Sequence, residues 1–462
     1  MKPHAPRGPS TAVSGIFFLL GIASSLPWNV FVTEQDYFRM RLQGTAYEDS
    51  FVNWFSTALN ITTLLTMLVR TVCIADRMPS AVKTVFASLV VVLSVMLGHT
   101  VLTRMPEFHG EPFFQLTMVS LVVVGAANSM VQDGLLRLVS TFPPRFTQAV
   151  VSGQAMAGVV VASSNLIIMA ANQEPTPTDA APLFFVNWDT ESGADLSAFV
   201  YFVFVFAVVL LSVLAFIALT RMELFRFYHY HHAVPHKDTA RMSAVTTDME
   251  DQDDDESMAS SLLSRHDRAG SASEEEEEER ELYLVELVYK IRFYGAAIFL
   301  VFMVSLAAFP GLTSLLHSSN PARGRLYRDL FVPALFVVVN VSDLVGRWTA
   351  NWWPVLSGRQ LFGMTVLRSA FIPLLMLCNL QNNHNQVITR VVFHSDVFPL
   401  LFVVVLLYSN GVLFTQSLMR YPSVLRGAKE KEMGGTIMFF LLTLGLTTGS
   451  LVTFVLYAML RP

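Results

Sequence analysis

The chain has 462 residues, 53% of them hydrophobic and only 15% charged, with a formal net charge of −5. Soluble globular chains are usually near a quarter charged. That balance, with 36 Phe and 21 Met, excludes an ordinary soluble domain, offers no basic excess for nucleic acid, and makes the lipid bilayer the expected solvent.

A helix needs about 20 mostly apolar residues to cross roughly 30 Å of hydrocarbon. Six stretches qualify early in the chain, at about 13–33, 52–74, 83–104, 112–136, 147–171 and 197–221. Five more follow, at about 290–316, 329–350, 361–380, 396–419 and 432–459. The expected fold is an all-α polytopic membrane protein with eleven transmembrane helices. The first apolar run, Gly15 to Leu26, lacks a small-x-small cleavage site and continues into Pro27-Trp28-Asn29. It therefore reads as a helix of the protein rather than a signal peptide.

Between the two groups lies a polar stretch, 223–288, holding "DMEDQDDDES" and "SEEEEEERE". From Asp248 to Glu286 it has 16 acids and three arginines, a net of −13. Such a block buries too little apolar surface to fold. It is expected to be a disordered cytoplasmic linker between an N-terminal six-helix part, 1–222, and a C-terminal five-helix part, 289–462. Ser257, Ser260, Ser261, Ser271 and Ser273 sit among its acids, where a regulatory partner or kinase could act.

Loop charge sets the expected orientation. With the N-terminus in the cytoplasm, Arg77, Lys83, Arg137, Arg145, Arg359, Arg426, Lys429 and Lys431 fall inside, and the acidic loop 172–196 falls outside. Arg323, Arg325 and Arg328 run against this count without reversing it. Eleven spans then put the C-terminus outside. Cys73 and Cys378 fall near opposite faces, which argues against a disulfide. No metal, cofactor or enzyme motif of the HExxH, GxSxG or Walker kind is present.

Ionisable residues inside a membrane are costly and mark function by default. In the eighth span, "NVSDLVGRWTA" carries Asp343 and Arg347 one helical turn apart on one face, with Asn340 extending the stripe. The pair is either a lock between helices or, the favoured reading, a polar patch on a water-filled cavity. Five fixed donors and a carboxylate suit a ligand with several hydroxyls. In the fourth span, Gln132 offers an amide suited to a heterocycle edge, and Asp133 follows it about 100° around the helix. Asp133 has open readings: a cavity wall, the partner of a base, or a proton or cation site. In "SSLPWNVF", Pro27 is expected to kink the first helix beside Trp28 and Asn29. Gly153 and Ala157, and Gly435, Gly445 and Gly449, read as helix-packing positions. His99 reads as a hydrogen-bonded interior residue, and His229, His231 and His232 as loop.

Taken in order, these segments resemble the equilibrative nucleoside transporter family. The resemblance rests on "GIASSLPWNVF", "NSMVQ", "SGQAMAG", "FPG", "VNVSDLVGR", "LRSAFIPLLMLCN", "SNG" and "KEMGGTIMFFLLTLGLTTGS". It covers essentially the whole chain outside the acidic stretch. It implies a major-facilitator-like arrangement of six and five helices around a central cavity, alternating access, and facilitated diffusion of adenosine- or uridine-type nucleosides across the plasma membrane. It also implies residue roles. Trp28 and Gln132 would line the base side, and Asp343 and Arg347 would meet sugar hydroxyls or a base edge. Phe309 and Pro310, facing Val32, would form an outer gate. Lys83, Glu432 and Asn29 would form an inner gate. Lys83 stands where the family commonly has Arg, and Asp133 departs from the family pattern. Asp133 therefore sustains two alternatives, a proton-coupled nucleoside carrier and an organic-cation or monoamine carrier. A receptor or scaffold signalling through the acidic stretch is a further alternative.

Overall fold

The computed structural model describes residues 10–48, 50–73, 79–105, 107–171, 191–233, 283–328, 330–381 and 391–460. Among these, nine helices are long and apolar enough to cross a membrane. The first part of the chain forms α1 (Ser10–Ala23), α2 (Leu26–Thr33), α3 (Gln35–Arg41), α4 (Phe51–Cys73), α5 (Ala81–Leu102), α6 (Glu111–Ser140), α7 (Pro144–Ala171), α8 (Glu191–Arg221) and α9 (Glu223–Ala233). After the acidic stretch come α10 (Tyr283–Phe309), then α11 (Phe331–Thr349), α12 (Gly358–Arg368), α13 (Phe371–Met376), α14 (Val397–Arg420) and α15 (Gly427–Leu460).

Two of the eleven predicted positions differ from the nine long apolar helices. The second is α4, a 23-residue helix with Asn and Thr along its length and Arg70 in its last turn. The ninth is divided into α12 and α13. Pro373 has no N–H to give the Ser369 carbonyl, so the helix cannot run straight through. A proline also bends α10. Phe309, before Pro310, is extended at φ −121° and ψ 131° inside the π-helical stretch Ala307–Leu312, because proline pushes its predecessor out of the helical region.

Helices α1 and α2 are separated at Ser24-Ser25, with Pro27 in the first turn of α2. Side chains satisfy the carbonyls around this break, as chain ends require. The Asn29 amide donates to the Ser25 carbonyl at 2.9 Å, and the Ser24 hydroxyl donates to that of Gly21 at 2.8 Å. The predicted kink is thus a short interruption within one membrane-length run, Ser10–Phe31. The predicted linker is shorter than 223–288: α9 and the start of α10 occupy its ends. His229 lies on α9 and stacks on Phe225 rather than in a loop. The remainder, 234–282 with its serines, lies outside the described residues.

The apolar core is shared at one end of the molecule and divided at the other. One cluster mixes Phe17, Val85, Leu135 and Phe146 from the first part with Ile298, Phe414, Ile437 and Met438 from the second. A second cluster belongs to the first part alone, around Phe31, Phe38, Phe55, Phe113 and Phe202. A third belongs to the second part alone, around Val304, Leu312, Leu335, Leu375 and Leu406. The shared cluster holds the end of α6 and the start of α15, the end that loop charge assigns to the cytoplasm. Apolar side chains also face outward: Val200, Phe204, Leu211 and Leu214 on α8, and Leu116, Val119 and Val123 on α6, are exposed. A water-soluble protein rarely shows such a belt, and a membrane-spanning one turns it to the lipid.

Candidate functional site

Asp343 and Arg347 lie on α11, and their Oδ2 and Nη2 atoms are 2.7 Å apart. Close backbone approach brings their neighbours within reach. A Cβ on Gly346 would collide with the Tyr408 carbonyl of α14, and one on Gly411 would collide with the Asp343 carbonyl. With no side chain at either crossing point, α11 and α14 touch backbone to backbone. Asn410, next to Gly411, then donates its amide to Asp343 Oδ1 at 2.7 Å. Both carboxylate oxygens are thus held. Arg347 also reaches across the molecule: Nη1 donates to the Val151 carbonyl of α7 at 2.5 Å, and its guanidinium lies 4.9 Å from the Phe414 ring centre. Gln148, one turn before Ser152 on α7, donates to the Arg347 and Trp348 carbonyls at 2.8 and 2.9 Å and bonds Asn351. Further along the same seam, Asn340 donates to the Phe336 carbonyl at 2.8 Å. Its other amide atom lies where a Cβ on Gly158 would be.

The second cluster forms at the break in the first span. Gln132 donates to the Ser24 carbonyl at 3.2 Å, and Gln154 reaches Gln132 Oε1 and Ser24 Oγ, each at 3.5 Å. Gly21 and Gly153 let α1 and α7 close on each other, since a Cβ on Gly153 would meet the Phe18 carbonyl. Trp28, Gln132, Gln154 and Asn340 are all half-buried. The first part of the chain thus carries the Gln132–Gln154 amides at the α1–α2 break, and the second part a fixed carboxylate and guanidinium at Asp343 and Arg347.

Asp133 has a basic partner. It is fully buried, its Oδ2 lies 2.8 Å from Arg70 Nη2 and 4.0 Å from Arg137 Nη1, and Thr436 donates to its Oδ1 at 2.6 Å. Arg137 continues to Glu432 Oε2 at 3.1 Å and to the Pro79 carbonyl at 3.1 Å. This network ties α4 and α6 to α15. Of the expected inner gate, Glu432 pairs with Arg137 here, and Lys83 is exposed on α5. Asn29 lies at the α1–α2 break, where its amide donates to the Ser25 carbonyl. Of the expected outer gate, Phe309 packs edge-on against Phe336 at 4.8 Å between ring centres. The side chains of Val32 and Pro310 lie outside the described part.

Several residues escaped the sequence reading. Arg70 lies inside the predicted second span, where the rule applied to Asp343 would have flagged it. Asn410 and Arg368 lie in segments noted for family likeness without a role. Gln148 and Thr436 are ordinary polar residues that only the helix crossings single out. His99 is as expected: buried, with Nε2 2.6 Å from Ser120 Oγ.

The sequence matches the nucleoside transporter family over residues 118–458, which contains most of these residues. The chain belongs to the nucleoside transporter family. Human equilibrative nucleoside transporter 1 is 26% identical over 98% of this chain and 99% of its own length. Rat equilibrative nucleoside transporter 3 is 28% identical, over 94% and 86%. The fold is that of major facilitator transporters. It matches the proton:xylose symporter XylE at a TM-score of 0.54 with 11% identity, over 97% of this chain and 88% of that one. It matches FucP, solved in its outward conformation, at 0.51 with 12% identity, over 99% and 98%.

Proposed function

We propose that this multi-span membrane protein is an equilibrative transporter of nucleosides, working by alternating access. The family match over 118–458 carries the reading, and the near full-length likeness to equilibrative nucleoside transporters supports it. The geometry is compatible with this. A core shared at one end and divided at the other suits two parts, 1–222 and 289–462, that rock about a midplane site. Trp28 offers an apolar face for a base, and Gln132 an amide for its edge. Asp343 and Arg347 replace water around the sugar hydroxyls, with Asn340 beside them. Few polar groups against apolar walls fix orientation while binding stays weak enough for release.

The carriers built on Asp133 lose their main support. Its charge is already met by Arg70, and its other oxygen by Thr436. A free acid for a cation or a travelling proton is not what this geometry offers. The expected location is the plasma membrane, with the N-terminus inside and the C-terminus outside; protease access to terminal tags on intact cells tests that orientation. Uptake of labelled adenosine and uridine into proteoliposomes of the purified protein tests the function. Saturable uptake independent of a proton gradient is expected. Uptake that requires the gradient, or flux of an organic cation without nucleoside flux, would sink the reading.

A further inference from the structure

Arg368 ends α12 and is only 3% exposed. A buried guanidinium normally needs a counter-charge or full hydrogen bonding. Here it donates Nε to Ser409 Oγ at 2.9 Å, and its other nitrogens to the Leu406 and Val301 carbonyls at 3.0 and 3.4 Å. One further bond leads elsewhere. Nη2 donates to Ser305 Oγ at 2.9 Å, Ser305 Oγ donates to Asn410 Oδ1 at 2.7 Å, and Asn410 Nδ2 donates to Asp343 Oδ1 at 2.7 Å. All three bonds point the same way, from a buried cation to a buried anion. In such a chain each bond polarises the next, so the links strengthen one another.

The relay draws on α10, α11, α12 and α14, all after the acidic stretch. Asp343's other tie is different. Arg347 holds Oδ2, but it also bonds the Val151 carbonyl on α7, in the first part of the chain. Any motion that parts α7 from α11 must disturb Arg347. It leaves the Arg368 relay intact. The beginning of α12 is itself well fixed: Ser357 and Gln360 form a capping box, with Ser357 N donating to Gln360 Oε1 at 2.9 Å.

We propose that Arg368 is a positioning residue for nucleoside binding. Through Ser305 and Asn410 it keeps the Asp343 carboxylate aimed at the sugar in both conformations of the transport cycle. The proposal rests on the nucleoside reading above. It separates a residue that shapes specificity from one that merely fills the core.

The test is initial-rate uptake of uridine and of 2′,3′-dideoxyuridine into proteoliposomes of the full chain, for the wild type, Ser305→Ala and Arg368→Lys. Losing one charge-linked hydrogen bond to the sugar site should raise the uridine KM about fivefold to tenfold. The dideoxy substrate, lacking those hydroxyls, should keep its KM, and Vmax per folded protein should hold. A purely structural role would change both substrates by the same factor, or Vmax alone, and would overturn the proposal. So would an unchanged uridine KM in both variants. Should Arg368→Lys fail to fold, Ser305→Ala cuts the same relay by removing one oxygen and decides alone. Absence of nucleoside uptake by the wild type would overturn the transport reading itself, and this proposal with it.

Discussion

Asp343 and Asp133 are both buried acids with an arginine within 2.8 Å, yet the two clusters are wired differently. Around Asp343, the acid itself is held by its own helix and by α14, while the links to α7 run through Arg347 to Val151 and from Gln148 to the Arg347 and Trp348 carbonyls. Around Asp133, the bonds themselves cross the molecule. Thr436 of α15 donates to the acid, and Glu432 of α15 takes Arg137. An acid whose own bonds stay within one part can keep its place when the parts move, as the proposed binding site requires. An acid bonded across the parts loses that bond when they separate, as a closure would. Residue type alone does not distinguish them; the helices that supply the partners do.

The sharpest way to break this comparison is to remove the acid that touches most charge. Asp133→Ala leaves Arg70 and Arg137 buried with one counter-ion between them. Breaking a buried pair from one side costs about 3–5 kcal/mol. The expected outcome is a much lower melting temperature in detergent and poor recovery of folded protein. A variant that melts like the wild type would show that Asp133 is not part of the closure's framework.

Asp343→Ala should behave differently. Arg347 keeps the Val151 carbonyl and the Phe414 ring, so the stability loss should be smaller than for Asp133→Ala. Transport should fall at least about tenfold, the worth of one good charged hydrogen bond. Arg347→Ala should fall similarly, with protein still detectable at the cell surface. Normal uptake by both would remove this pair from the site.

Thr436→Val sits lower on the scale. It deletes one hydroxyl donor to Asp133 Oδ1 while keeping the side-chain shape. A buried hydrogen bond is worth about 1 kcal/mol net, near a fivefold shift in a two-state balance. The closed end should open more often. With Cys73 and Cys378 replaced by Ser, a thiol reagent should label Ser140→Cys, normally 4% exposed, faster in the Thr436→Val background. Equal labelling rates would mean that this bond does not hold the end shut.

The membrane class, the packing glycines and the Asp343–Arg347 pair were legible because each has a local signature: length of apolar run, small residues four apart, opposite charges one turn apart. The helix breaks were legible in part. Pro27 announced its own, while Pro310 and Pro373 were passed over because the predicted spans continued through them. The partners of Asp133 were not legible. Arg70, Thr436 and Asp133 lie on three helices far apart in the chain, and the crossing of those helices has no signature in any one of them. Arg368 is the same case: its relay needs α10, α11 and α14 to meet around it.

Glu432 provides the smallest effect and the most direct contest between sequence reading and structure. Family likeness places Glu432 and Lys83 together in an inner gate. The structure pairs it with Arg137, leaving Lys83 exposed. Exposed lysines away from special features usually change stability by less than about 0.5 kcal/mol, so Lys83→Ala should leave uptake and melting near wild type. The Glu432 carboxylate is 31% exposed, so its pair with Arg137 should contribute no more than about 1 kcal/mol. Glu432→Gln should then modestly speed labelling at the closed end, by less than Thr436→Val does. The double variant Lys83→Ala with Glu432→Gln should match Glu432→Gln alone, because two residues that do not meet have additive effects. A clear coupling between positions 83 and 432 would instead mean that they do meet, in a state where Lys83 has turned inward and Arg137 has let go. Two cations would then take turns at one acid, and the closure would be an exchange of partners rather than a fixed bond.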